Sequence, residues 1–91
     1  MLSILYTWYN DLGKKMEGPV MMKYVKRIRD LREDHDKTQE EIARILGTSQ
    51  TMYARYERGA NGLPIHHLLT LCAYYGVSSD YILGLSDNSK K

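Results

Sequence analysis

Three side chains in the segment SQTMYARYERG, residues 49–59, can make directional contacts from one face of a helix: Gln50, Thr51 and Arg55. Positions i, i+1 and i+5 of an α-helix lie on neighbouring parts of its surface. A glutamine amide can pair with adenine through two hydrogen bonds, an arginine can donate twice to guanine, and a threonine methyl can contact thymine. The spacing therefore predicts a surface that can contact the edges of DNA bases.

An ordinary solvated helix face has the same composition, so the neighbouring elements must decide between the two interpretations. TQEE at 38–41 is a capping box, in which Thr38 begins a helix and Glu41 returns a hydrogen bond to it. Gly47 is suited to end that helix in a left-handed conformation, and Ser49 can cap the next. Helices over 38–46 and 49–58 are thus joined by a short turn that contains a glycine. This is the spacing of a helix-turn-helix, whose second helix enters the major groove.

The apolar residues of this helix pair predict how the two helices pack. Tyr53 and Tyr56 are three residues apart, away from the polar face, and we expect them to pack on the first helix. Ala43 is small enough for close contact between helices. The first helix is expected to contribute a buried stripe of Ile42, Ile45 and Leu46.

Three more helices complete the predicted domain. A helix over 21–35 has Val25, Ile28 and Leu31 on one face, and the acidic residues near its end predict fraying near His35. Its basic run, residues 23–32, is interpreted mainly as a solvated face. A helix after Pro64 is expected to place in or near the core Ile65, Leu68, Leu69, Leu71, Cys72 and Tyr75. Ser78 caps a short fifth helix that ends at Gly84, and no strand alternation of useful length appears. The prediction is an all-α fold, a compact five-helix domain over 21–86 followed by a frayed polar tail, 87–91.

Residues 1–20 are predicted to form a short extra amphipathic helix over 2–12 and a linker over 13–20. Its apolar stripe is Leu2, Leu5, Trp8, Tyr9 and Leu12. One alternative is that this stretch is a non-native extension ahead of a start at Met21–Met22. Otherwise the stripe is too apolar to stay exposed, and it packs on its own domain or on a protein partner.

Composition narrows the class of protein. Ninety-one residues make one small domain, and no run of 18 apolar residues predicts a membrane span. The single cysteine, Cys72, cannot form a disulfide within the chain, which fits a reducing cytoplasm. His66 and His67 are adjacent and therefore diverge on a helix, so no metal site is expected. No phosphate loop or nucleophile motif is present, so we expect no cofactor and no enzymatic activity.

The segment TQEEIARILGTSQTMYARYERG resembles the lambda-repressor-like helix-turn-helix family of the Cro/repressor (Xre) type. The resemblance extends to RIRDLRED upstream and LLTLCAYYGVSSDYILG downstream, and covers roughly residues 22–86. It implies a cytoplasmic five-helix regulator that binds double-stranded operator DNA, usually as a homodimer on a palindromic site.

The resemblance also assigns roles to individual residues. It implies that Gln39 and Asn61 contact phosphate, and that Ser49 caps the recognition helix and also touches phosphate. It implies that bases are contacted by Gln50, Thr51 and Arg55, and that a structural pair joins Arg32 to Glu57. Three positions depart from the family pattern: Lys37, Tyr53 and Ile65.

Two functions follow as expectations. One is a sequence-specific transcriptional regulator, most simply a repressor. The alternative is an antitoxin-like or other protein-interaction module on the same fold, favoured by the apolar N-terminal stripe.

Overall fold

The computed structural model describes residues 18–90, with side chains described from residue 23 onward. This part of the chain contains five α-helices and no β-strand, as predicted. They are α1 (Gly18–Asp34), α2 (Gln39–Leu46), α3 (Gln50–Arg58), α4 (Ile65–Tyr75) and α5 (Ser79–Leu83). The predicted helix over 2–12 lies outside the described residues.

The capping box predicted at the start of α2 is present. The Thr38 hydroxyl accepts a hydrogen bond from the Glu41 backbone N–H at 3.1 Å, and the Glu41 carboxylate accepts one from the Thr38 N–H at 2.8 Å. The same hydrogen bond from the Thr38 backbone holds the pKa of Glu41 below its ordinary value. Two backbone donors that the helix cannot satisfy itself are therefore satisfied locally, which fixes where α2 begins.

The turn between α2 and α3 requires glycine. Gly47 has φ of 75°, a left-handed conformation that costs other residues energy. The Thr48 N–H donates to the Ala43 carbonyl at 2.9 Å, which closes the end of α2. Ser49 follows directly and its hydroxyl accepts from the Met52 N–H at 3.0 Å, which begins α3. Only three residues separate the helices, so their relative angle has little freedom.

The core lies where α2, α3 and α4 meet, with α1 and α5 closing it. Ile42 and Tyr53 are completely buried, and Ala43 is 2% exposed, as the close approach of α2 to its neighbours requires. α2 packs on α3 and α4, whereas α1 packs on α3 and α5. The buried cluster comprises Ile28, Leu31, Ile42, Ala43, Leu46, Tyr53, Tyr56, Leu68, Leu71, Cys72, Tyr75, Val77 and Ile82.

Three residues predicted to lie in or near the core are exposed. Ile45 is 38% exposed, because the stripe of α2 runs through Ile42 and Leu46 and leaves Ile45 at its rim. Leu69 is 60% exposed, since α4 buries the face that carries its neighbour Leu68. Ile65, at 71%, is the first residue of α4 and extends beyond the core. Pro64, the residue before it, provides no side-chain cap for α4.

Both ends of the described chain differ from prediction. α1 begins at Gly18, so residues 18–20 belong to a helix and not to a linker. Proline at the second position fits, because the first turn of a helix needs no N–H donor there. α1 ends at Asp34, as the fraying near His35 predicted.

The predicted frayed tail is instead attached to the domain. Arg27, expected on a solvated face, donates to the Tyr81 carbonyl at 2.7 Å and to the Asp87 carboxylate at 2.8 Å. Its guanidinium also lies 4.0 Å from the centre of the Tyr81 ring. The Ser78 N–H donates to the Ser89 carbonyl at 2.9 Å. These contacts hold the tail against α1 and α5.

Two leucines of α4 test this division between core and surface. Leu71 is completely buried and Leu69 is 60% exposed. Leu71→Ala should lower the free energy of unfolding by about 2–5 kcal/mol, because it removes buried methyl groups and leaves a cavity. The matched variant Leu69→Ala should change it by no more than about 0.5 kcal/mol. Urea denaturation followed by circular dichroism measures both; equal losses would show that the assignment of faces on α4 is wrong.

Candidate nucleic-acid interface

The two sides of α3 have different environments. Tyr53, Tyr56 and Glu57 are buried, at 0%, 6% and 4% exposure. The residues expected to contact bases, Gln50, Thr51 and Arg55, are all exposed. Exposure begins at Ser49 and Gln50, at the amino-terminal end of the helix. The structure therefore places the predicted set on an outward face that begins at the amino-terminal end of α3, the end that approaches base edges in helix-turn-helix proteins.

A buried ion pair holds α3 against α1. Arg32 donates from Nε to one Glu57 oxygen at 2.7 Å and from Nη2 to the other at 3.1 Å. The side chains are only 14% and 3% exposed. A third donor, Nη1 of Arg32, reaches the Lys37 carbonyl at 2.9 Å, in the turn that leads to α2. The pair implied by the family resemblance is therefore present, and it joins three consecutive elements.

The electrostatics of Glu57 follow from these contacts. Burial opposes ionisation of the carboxyl, but hydrogen bonds from Arg32 and Gln39 outweigh that effect and hold the pKa of Glu57 below its ordinary value. The hydrogen bond to Glu57 in turn raises the pKa of Arg32. Both groups are therefore charged at neutral pH, and the pair is a bidentate, charge-assisted one.

A line of amides connects this pair to the exposed face. Gln39 donates from Nε2 to Glu57 at 3.1 Å, and its own Oε1 accepts from Gln50 Nε2 at 2.7 Å. A carboxylate only accepts, so Gln39 must present its NH2 group to Glu57 and its oxygen to Gln50, and Gln50 must in turn present its own NH2 group. Gln39, at the start of α2, and Gln50, at the start of α3, thus form one continuous polar surface.

A second contact occurs at the other end of the face. Arg55 donates from Nε to Oδ1 of Asn61 at 2.6 Å. Asn61 lies in the loop after α3, beyond Gly59, whose φ is 74°. The structure therefore brings five of the six predicted site residues into two joined pairs and one cap: Gln39 with Gln50, Arg55 with Asn61, and Ser49 at the start of α3. Thr51, the sixth, is exposed and follows Gln50 in the sequence.

Neither amide contact was foreseen from sequence. Gln39 and Gln50 are 11 residues apart, and Arg55 and Asn61 are six apart across a helix end, so no helical periodicity connects them. The signal that was available is chemical: three amides and an arginine surround a tight helix pair, and each amide side chain can donate and accept at once.

His67 packs beside Tyr56 and His66. His67 is 7% exposed, with its ring centre 5.8 Å from that of Tyr56 and 4.2 Å from that of His66. Burial, with His66 beside it, lowers the pKa of His67.

Within the described residues, no group of three or more histidine, cysteine or acidic side chains is arranged to hold a metal ion. None of the described helices is long and apolar enough to span a membrane.

Two capped helices joined by a three-residue turn, with polar side chains exposed on the second, define a helix-turn-helix protein. The family comparison agrees: the helix-turn-helix family matches residues 28–82, more than half of the chain. The chain belongs to this family, in its lambda-repressor-like (Xre) branch. The match covers four helices completely or nearly so and enters α1 at Ile28.

Similar proteins include bacterial and phage regulators. The chain is 40% identical over 65 residues to the uncharacterized HTH-type transcriptional regulator YobD of Bacillus subtilis, covering 71% of this chain and 58% of that protein. It is 39% identical over 59 residues to the antitoxin PezA of Streptococcus pneumoniae, covering 65% of this chain and 37% of that protein. It is 37% identical over 51 residues to the cryptic phage CTXphi transcriptional repressor RstR of Vibrio cholerae, covering 56% of this chain and 46% of that protein. The chain thus spans about half the length of these relatives. No solved structure was found to match it.

The ion pair generates a prediction about stability and its pH dependence. Glu57→Gln keeps the shape of the side chain but leaves Arg32 charged and mostly buried without its buried counter-charge, which should cost about 3 kcal/mol at pH 7. The carboxylate's contribution is complete above the ordinary glutamate pKa of about 4.3 and is lost as pH falls through its lower folded-state value. The difference between the wild type and Glu57→Gln should therefore shrink below pH of about 4.

The matched control for this prediction is Glu33→Gln. Glu33 is also near Arg32, at 3.9 Å, but its side chain is 59% exposed, so its loss should cost less than about 1 kcal/mol. Urea titrations of the three proteins at several pH values between 3 and 7 make the comparison. A penalty for Glu57→Gln that stays constant down to pH 3 would mean that the ionised carboxylate is not its source.

Proposed function

We propose that this domain binds double-stranded DNA at specific sequences and acts as a transcriptional regulator. The observation that carries the proposal is the exposed face of α3, where Gln50, Thr51 and Arg55 stand free of the core. Their side chains match adenine, thymine and guanine edges in the major groove. Membership of the helix-turn-helix family, with transcriptional regulators among the relatives, supports the same function.

The proposed complex places α3 in the major groove and α2 across the phosphate backbone. Gln39 and Ser49 lie at the starts of α2 and α3, where free backbone N–H groups and the positive end of the helix dipole favour an anion. They are proposed to contact phosphate, which positions the protein without selecting a sequence. Selection then depends on the three residues of α3.

The simplest regulatory mode is repression by occupying a promoter. In this proposal two copies bind a palindromic operator in the cytoplasm, with their recognition helices one turn of DNA, about 34 Å, apart. The phage repressor among the relatives supports this mode.

The proposal predicts that selection from random duplex DNA enriches a motif. When binding to that motif is compared with binding to duplexes changed at one base pair, Arg55→Ala should lose about 1–3 kcal/mol of discrimination at one position, because one bidentate contact is removed. The matched control is Arg29→Ala, which removes another exposed arginine, one that lies on α1. It should leave base preference unchanged. Binding is measured by fluorescence anisotropy at fixed salt, because phosphate contacts make affinity depend on ionic strength.

Two results would overturn this proposal at different levels. If no motif is enriched, sequence-specific recognition is wrong. If a motif is enriched but Arg55→Ala keeps the full preference at every position, the recognition is real but Arg55 is not one of the contacting residues.

A second function is supported by the similarity to the antitoxin PezA. An antitoxin-like protein would bind a protein partner as well as its own promoter. Coexpression with the product of the adjacent gene discriminates the two. A stable complex that changes operator binding would favour the antitoxin-like function, and its absence would favour a regulator that acts alone.

A further inference from the structure

Asn61 is bound to Arg55 through both its backbone and its side chain. The Asn61 N–H donates to the Arg55 carbonyl at 3.4 Å, beside a shorter hydrogen bond to that carbonyl from Ala60 at 2.9 Å. Its side-chain Oδ1 accepts from Arg55 Nε at 2.6 Å. The left-handed Gly59 turns the chain back so that both contacts are possible. The loop therefore returns to the arginine that α3 presents to solvent.

The direction of the side-chain contact is determined by chemistry. An arginine has donors only, so the Asn61 atom that faces Nε must be its oxygen. A guanidinium carries one N–H on Nε and two on each terminal nitrogen. With Nε engaged by Asn61, a two-donor contact to a guanine edge must use the two terminal nitrogens, in an end-on approach.

From this geometry, we propose that Asn61 is a positioning residue, which fixes the Arg55 guanidinium and so determines base preference at the Arg55 contact. The inference rests on the proposed function and deepens it. It replaces the role implied by the family resemblance, in which Asn61 contacts phosphate directly. In that role Asn61 would add affinity for every sequence equally, whereas through Arg55 it adds affinity only where Arg55 has its base.

The physical reason is the conformational freedom of arginine. An exposed arginine samples many rotamers, and ordering it on binding costs free energy. A hydrogen bond that already holds Nε removes part of that cost before DNA arrives. Arg55 is exposed and Asn61 accepts from its Nε, so this hydrogen bond restricts the side chain without using its terminal nitrogens.

The first test uses the protein without DNA. In the NMR spectrum of the full chain, the Nε–H proton of Arg55 should exchange slowly with water, and Asn61→Ala should make it exchange fast. Asn88→Ala is the matched control, an exposed asparagine in the carboxyl-terminal tail. Fast exchange in the wild type would overturn the proposal whether or not the protein binds DNA.

The second test is a double-mutant cycle on the selected motif, with a second duplex in which the base pair contacted by Arg55 is replaced. Asn61→Ala should weaken binding to the motif by about three- to tenfold, the cost of ordering one flexible side chain. It should leave binding to the replaced duplex unchanged, and it should have no further effect when Arg55 is already alanine. Asn61→Asp keeps the acceptor and should therefore keep the base preference, while its charge weakens binding to all duplexes.

The outcomes separate the possibilities. Equal weakening of both duplexes by Asn61→Ala, or the same weakening with Arg55 already removed, would mean that Asn61 contacts DNA by itself. Failure to enrich any motif would overturn sequence-specific binding, but the exchange measurement would still decide whether Asn61 holds Arg55.

Discussion

The buried pair between Arg32 and Glu57 is the constraint on which the rest of the structure depends. Apolar burial holds helices together but is not directional, so it does not by itself set how far α3 is rotated about its axis. Two parallel hydrogen bonds between a planar guanidinium and a planar carboxylate do set it. Since both charges are taken out of water, neither partner can be lost without stranding the other. The ion pair on the buried side of α3 therefore determines which of its residues face solvent.

The same pair also organises the polar surface. Arg32 reaches the turn before α2 through the Lys37 carbonyl, and Glu57 accepts from Gln39. Gln39 then accepts from Gln50, the first residue of α3. Four residues from three helices are therefore joined in one series of hydrogen bonds, which begins in the interior and ends at solvent. Hydrogen bonds that follow one another in such a series polarise each other, and together they hold each amide in one orientation.

Local features of this fold could be predicted from sequence, because their causes lie within a few residues. The capping box at Thr38, the left-handed Gly47 and the cap at Ser49 each depend on neighbours, and all were found as predicted. The division of α3 into a tyrosine face and a polar face followed from helical periodicity.

Features that depend on distant elements could not be predicted in this way. Whether Ile45 or Leu69 is buried depends on where a helix comes to lie, which its own periodicity leaves open by about one position. The sequence of α1 does not distinguish Arg27 from its other cations, because the partners of Arg27 lie on α5 and in the tail. The amide pairs of the candidate site belong to the same category, because short polar side chains meet only once the backbone is in place.

The division of α3 into a buried face and an exposed face has a consequence for how such proteins diversify. Tyr53, Tyr56 and Glu57 are committed to the interior, while Gln50, Thr51 and Arg55 contribute little to it. The hydrogen bonds of Gln50 to Gln39 and of Arg55 to Asn61 lie at the surface, so we expect substitutions at the three exposed positions to cost little folding free energy. Under the proposed function, a gene duplicate can change at these positions and acquire a new DNA target while the rest of the fold stays the same, so that related copies in one genome need not compete for one site.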